Sequence, residues 1–204
     1  MPPTPVPGPG RCHRCFLQTA VCLCPGIPLI DTRTHVVVVR HWLEAAKPSN
    51  TGRIAALALR RAAVHDYARP AAPLDVGALV TPGTWLLYPE PGAPQGLAGR
   101  PPPVRLVVLD ATWAQARRMR QRIAALRGLP RLALPAPTRP RERLRTPSHP
   151  DAMATLEAIA AALALLEDPG IGAALDALYA RMVVHSKATA RSFHGSNCGG
   201  FSTR

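Results

Sequence analysis

Apolar positions along the chain fall into short blocks of two periods, separated by turn residues. Residues 34–40, Thr34-His35-Val36-Val37-Val38-Val39-Arg40, form a β-branched run typical of a strand buried on both faces. Ser49-Asn50-Thr51-Gly52 then offers helix caps, and the Ala-, Leu- and Arg-rich stretch 54–64 predicts a helix. Asn50 reads equally well as a cap or as a polar ligand contact. Gly52, so near a helix start, also suits a close approach of backbone to another group. A second strand is predicted at 84–89, stopped by Pro89. The Pro- and Gly-dense stretch 91–103 follows as a long loop, either a lid or a disordered segment.

A third strand at 105–109 leads directly into Asp110. Thr112 and Gln115 stand at capping-box spacing, so a helix opens at the strand end and runs to near Arg127. A fourth strand is expected at 131–134, then a basic connector at 138–147. From 150–151 a long helix carries the apolar stripe Met153, Leu156, Ala160, Leu163 and Leu166, and a last helix spans 173–185. Strands alternating with helices predict an α/β fold, with a mainly parallel sheet covered by helices on both faces. Residues 1–10 read as a disordered arm, 11–30 as a small cysteine-bearing head, 31–190 as the main domain and 191–204 as a flexible tail.

Composition changes this picture in two ways. The 204 residues suit one domain with a small appendage, and 47% hydrophobic against 4% aromatic residues implies a core of Leu, Val and Ala. The net charge of +13 comes mainly from Arg and favours a polyanionic partner, with nucleic acid first. No apolar run reaches the roughly 18 residues of a membrane span, so no membrane partner is expected. The Pro-rich start lacks the charged and apolar regions of a signal peptide, which predicts a cytoplasmic protein.

In a reducing compartment, clustered thiols suggest metal before disulfides. Cys12, Cys15, Cys22 and Cys24 suit a closed, structural tetrahedral zinc site. Free or redox-active thiols are the competing reading. His13 reads as a bystander, and Cys198 as an unpaired thiol in the tail.

The chain has no G-x-G-x-x-G, no Walker-type loop and no G-x-S-x-G elbow. Candidate chemistry gathers instead where strands end: Asp110, Thr112, Glu44 and Tyr88 form one candidate rim. A carboxylate at such a position is also a common helix cap, and that reading stands beside catalysis.

Taken together, the motifs resemble those of the DTW-domain proteins, named for Asp-x-Thr-Trp, here Asp110-Ala111-Thr112-Trp113. The similarity includes Cys12-x-x-Cys15 with Cys22-x-Cys24, His41-x-x-Glu44, and Ser49-Asn50-Thr51-Gly52-Arg53. It extends through Leu86-Leu87-Tyr88-Pro89 and Thr155-Leu156-Glu157-Ala158-Ile159-Ala160. The resemblance implies a tRNA-uridine aminocarboxypropyltransferase, which moves the 3-amino-3-carboxypropyl group of S-adenosylmethionine to uridine N3 and leaves methylthioadenosine. The same transfer to ribosomal RNA, or a zinc-bearing RNA-binding protein without catalysis, are the alternatives. Kinship with the SPOUT methyltransferases, and with it a knotted carboxyl-side region, enters on resemblance alone.

On this view Asp110 is the first candidate base and Glu157 the second. The plainer alternatives are a cap or orienting group for Asp110 and a salt bridge to Arg145 for Glu157. Leu87, Tyr88, Pro89, Asp110, Thr112, Trp113, Arg145 and Thr155 would meet the donor, with core packing the stronger reading for Trp113. Arg117, Arg118, Arg139, Arg141 and Arg143 would grip tRNA phosphates. Four positions depart from the family pattern: Trp42 replaces a proline, Ala154 a serine, and Arg141 and Thr146 stand where an aromatic residue and a lysine are expected.

Overall fold

The computed structural model describes residues 5–89, 96–97, 99–135, 142–144 and 152–195. Five parallel strands form one sheet: β1 His35–His41, β2 Ala62–Tyr67, β3 Thr84–Leu87, β4 Arg105–Asp110 and β5 Arg131–Leu132. Their spatial order is β2-β1-β4-β3-β5. Among the described residues four α-helices accompany them: α1 Thr51–Ala58, α2 Trp113–Arg122, α3 Thr155–Leu166 and α4 Pro169–Gly195.

The strand pleat divides the apolar residues between two cores. Val36, Val38, Trp85, Leu87, Leu106 and Val108 face α1, α3 and α4. Val37, Val39, Leu86 and Val107 face the opposite way, toward Leu79 and the α2 residue Met119, with Ile123 and Leu126 beyond the helix. This is the period-two alternation of a sheet buried on both faces, and it bears out the expected α/β architecture. The cysteine head is built into the first core, where Cys15, Leu17 and Leu23 are buried.

Several elements differ from the sequence expectation, and α2 ends at Arg122 instead of near Arg127. The helix expected over 54–64 stops at Ala58, and Ala62–Tyr67 becomes β2, paired with β1 from Val36↔Ala62 to His41↔Tyr67. Its residues are all half-buried, as on a sheet edge, so they carry little apolar signal; pairing with β1 overrides their Ala-rich helical propensity. The helix expected from 150–151 begins at Thr155, with Ala154 as its N-cap. Helix α4 extends beyond the expected 173–185 at both ends, through Gly195, while Cys198 lies outside the described residues. Strand β5 has only two residues.

The connections position the site. After β1 the chain passes α1 and goes outward to β2; after β4 it passes α2, on the opposite face, and goes the other way to β5. The order therefore reverses between adjacent strands β1 and β4, and ligands of open α/β sheets bind in the crevice such a reversal leaves. At the carboxyl end of this pair Arg40 lies opposite Asp110. No helix among the described residues is long and apolar enough to cross a membrane.

Candidate active site and metal centre

Asp110 is the last residue of β4, and the strand's alternation turns it to the side of α1 and α3. It is 5% exposed. Two neighbours donate hydrogen bonds to its carboxylate. The Thr155 hydroxyl donates to Oδ1 at 2.6 Å, and the Asn50 side-chain amide donates to Oδ2 at 2.5 Å. Burial pushes the Asp110 pKa above the ordinary carboxylate value; those two bonds and the Arg40 cation pull the other way, and Glu44 adds to the rise. A carboxyl displaced upward at a strand-end crevice is a physical marker of a reactive group.

Each contact comes from a different element end. Asn50 caps α1 by accepting from the Arg53 backbone N–H at 2.9 Å, which leaves its amide free to donate to Asp110. The two readings of Asn50 are therefore both realised by one side chain. Thr155 is the first residue of α3. Gly52 lies against the carboxylate, where an added Cβ would stand 2.6 Å from Oδ2.

Around this centre lies a buried charge lattice that the sequence does not reveal. The Arg40 Nε donates to Asp66 Oδ1 at 2.7 Å, with both side chains nearly buried. Asp66, Arg40 and Asp110 thus line up across β2, β1 and β4 on one face of the sheet. In the sequence Arg40 is legible only as the end of an apolar run, and Asp66 follows a stretch with helical composition. Glu44 is buried beside them and accepts from Lys47 Nζ at 2.5 Å.

The other face of the same edge is aromatic and basic. His41 and Tyr67 meet edge to face at 5.9 Å, and burial lowers the His41 pKa. Tyr88, just past β3, lies under the Arg120 guanidinium at 5.2 Å. Of the α2 arginines, Arg117, Arg118 and Arg122 are exposed, whereas Arg120 is half-buried on Tyr88.

The remaining candidates are placed as follows. Leu87 is buried in the first core and Pro89 is exposed at the rim. Thr112 forms the expected capping box with Gln115, so its hydroxyl is engaged in the α2 cap. Trp113 is 37% exposed, which overturns the core reading. It is the first residue of α2, just past the carboxyl end of the central strand β4, while Ala116 and Met119 make the helix's buried side. Glu157 is buried, and its carboxylate accepts from the Ala154 N–H at 2.8 Å. That is half of a capping box, because alanine at the N-cap has no oxygen with which to return the bond. Arg143 donates to the Ala152 carbonyl. Arg139, Arg141 and Arg145 lie outside the described residues, as does much of the loop expected at 91–103.

The head brings four thiols together. Cys12 and Cys24 sulfurs are 3.7 Å apart, as are those of Cys15 and Cys22, and all four lie within 4.8 Å of one another. A disulfide would need about 2.05 Å between sulfurs. A tetrahedron with Zn–S bonds of about 2.3 Å has an edge of about 3.8 Å, so the set fits a four-thiolate ion. Backbone amides of Cys15 and Arg14 draw the Cys12 thiol down to about 6, whereas burial and the neighbouring sulfurs push Cys24 up to about 12. His13 is not among the clustered ligands.

Comparison with known proteins agrees with these motifs. The sequence model of the DTW domain matches residues 10–187. The chain is similar to tRNA-uridine aminocarboxypropyltransferase A of Arabidopsis thaliana, 30% identical over 129 residues, covering 53% of this chain and 49% of that protein. It is also similar to tRNA-uridine aminocarboxypropyltransferase 2 of Drosophila melanogaster, 27% identical over 167 residues, covering 77% of this chain and 66% of that one. The chain thus spans about half to two thirds of the length of these relatives. No solved structure matches.

Proposed function

The chain belongs to the DTW-domain family, and from that premise we propose that it is a tRNA-uridine aminocarboxypropyltransferase of the cytoplasm, with S-adenosylmethionine as donor and uridine N3 as acceptor. The observation that carries this reading is Asp110: a buried carboxyl at the β1/β4 switch point, beside a helix with exposed arginines. The names of the two relatives support aminocarboxypropyl transfer to a tRNA uridine.

The donor is a sulfonium and is already activated. The new bond joins uridine N3 to the γ-carbon of the donor's amino-acid chain. The C–S bond breaks with its electron pair and methylthioadenosine leaves. The N3 proton must pass to a base, and a carboxylate whose pKa is raised by burial is a stronger proton acceptor than an ordinary one. We assign this role to Asp110. Glu157 is the weaker candidate, because it sits in the first turn of α3 with its carboxylate turned back to the Ala154 N–H, whereas Asp110 ends a strand at the β1/β4 crevice. The choice of the γ-carbon over the methyl group depends on orientation, so the donor must be held with its methyl turned away. Leu87, Tyr88, Pro89, Trp113 and Arg145 are proposed as its wall and anion contact, and Arg117 and Arg118 as tRNA phosphate contacts. Cys12, Cys15, Cys22 and Cys24 would hold a structural zinc ion.

The test is incubation with S-adenosylmethionine and unmodified tRNA, followed by mass spectrometry of nucleosides and of the spent donor. An aminocarboxypropyl-uridine with methylthioadenosine is expected. S-adenosylhomocysteine instead would mean methyl transfer. Binding of tRNA with neither product would favour the RNA-binding reading, and product on ribosomal RNA alone would change the acceptor.

A further inference from the structure

We propose that the cysteine head sets the geometry of the reacting carboxyl through one contact, Phe16 on Arg53, and that Arg53 is a positioning residue for Asp110. The proposal rests on the assignment of Asp110 as the reacting group.

Phe16 follows the second ligand of the first cysteine pair. It is 4% exposed and holds φ at 65°, a left-handed conformation that is strained for a large aromatic residue. Such strain persists only where the surroundings over-determine it. Here the Phe16 N–H donates to the Cys12 carbonyl at 2.9 Å, and the Cys12 N–H donates to the Leu17 carbonyl at 2.8 Å. The cysteine loop therefore dictates where the ring goes. It goes under the Arg53 guanidinium, whose carbon lies 3.5 Å from the ring centroid.

Arg53 is itself buried, 8% exposed. Its guanidinium donates to the Ala45 and Lys47 carbonyls, which ties down the segment leading into α1. Its backbone N–H donates to Asn50 Oδ1, and the other end of that Asn50 side chain donates to Asp110 Oδ2. An unbroken series of contacts thus runs from the cysteine loop to the carboxyl. Burial and the Arg40 cation lower the Arg53 pKa to about 10, and the Asp110 carboxylate pulls the other way through space. The head is held in register from its far side: Arg181 of α4 donates to the Gly26 carbonyl at 2.7 Å, and His185 meets the Val21 carbonyl at 3.1 Å.

A purely structural contact would affect folding stability alone. A positioning contact must also alter how Asp110 titrates, because the Asn50 bond favours its charged form. The experiment uses the full chain with metal bound and three variants: Phe16→Leu, which keeps bulk but removes the ring face; Phe16→Tyr, which keeps both; and Arg53→Lys, which leaves the cysteine loop untouched but cannot reach both carbonyls. Metal per chain, amide exchange over 45–53, kcat, KM for the donor and the pH profile of kcat are measured.

Phe16→Leu and Arg53→Lys are expected to retain metal and to exchange faster over 45–53. Their kcat should fall roughly tenfold, on the scale of one buried cation–π contact, with donor KM nearly unchanged and the acid limb of the profile moved to higher pH. Phe16→Tyr should recover all of these. Chelation of the metal in the unsubstituted protein should reproduce the faster exchange over 45–53. Wild-type exchange and an unmoved pH limb in both Phe16→Leu and Arg53→Lys would overturn the proposal. If exchange responds in this way but no transfer is seen with any RNA, the coupling stands and the assigned activity falls.

Discussion

Gly52 stands directly against Asp110: a Cβ built on Gly52 would lie 2.6 Å from Asp110 Oδ2 and 3.0 Å from Val38 Cγ1. The start of α1 and the end of β4 are therefore as close as a residue without a side chain allows. Gly52→Ala must displace either the helix or the carboxylate. We predict a destabilisation of about 1–3 kcal/mol, the usual cost of overpacking a buried contact, with kcat falling by more than the stability change explains. Denaturant unfolding together with steady-state kinetics checks this; an alanine variant with wild-type kcat would remove Gly52 from the site.

The Asp110 carboxyl carries its own pH signature. Its folded pKa lies above the unfolded value, so between the two the folded state holds the extra proton. Stability from this group therefore falls as pH rises from the ordinary Asp range through the raised value. Asp110→Asn should flatten that slope, read from unfolding free energies across pH, and should abolish transfer. Thr155→Val removes a donor that favours the charged form, so the acid limb of kcat should move to higher pH. An unmoved limb would mean that another group titrates.

Glu157 separates from Asp110 by a simple substitution. Glu157→Gln keeps an oxygen that can accept from the Ala154 N–H, and it should retain most of the transfer activity. Loss of turnover with an intact fold, seen by circular dichroism and kinetics, would make Glu157 the base after all.

Ala154 leaves the α3 cap half-made. Ala154→Ser supplies an acceptor for the Glu157 backbone N–H and completes the box. A gain of about 1 kcal/mol is expected, visible as a higher Tm.

Arg117 and Arg118 are exposed on α2. Replacing both with Gln should weaken tRNA binding. Its salt dependence should become shallower by about 0.7–0.9 in the log–log slope for each phosphate that is no longer neutralised. Binding measured across a salt series decides it; an unchanged slope would move the RNA to another face.

The alternation of strands and helices, the cysteine cluster, the α2 capping box and the prominence of Asp110 are all determined by the sequence. Each is local: a β-branched run, a ligand spacing or a cap is written within a few neighbouring residues. Asn50 and Gly52 narrow to two roles each for the same reason. Strand β2 is hidden, because an edge strand of half-buried Ala, His and Asp has no strong period until β1 pairs with it. With β2 goes Asp66 and its bond to Arg40. Trp113 reads as core along the chain, yet its exposure depends on where the sheet ends, not on its place in a motif. The Phe16–Arg53 contact joins two distant stretches of the chain, through a backbone conformation no pattern of side chains announces. Which group meets Asp110, and which merely caps a helix, is decided by tertiary structure alone, since hydrogen bonds of a few ångströms arise only when the ends of β4, α1 and α3 converge.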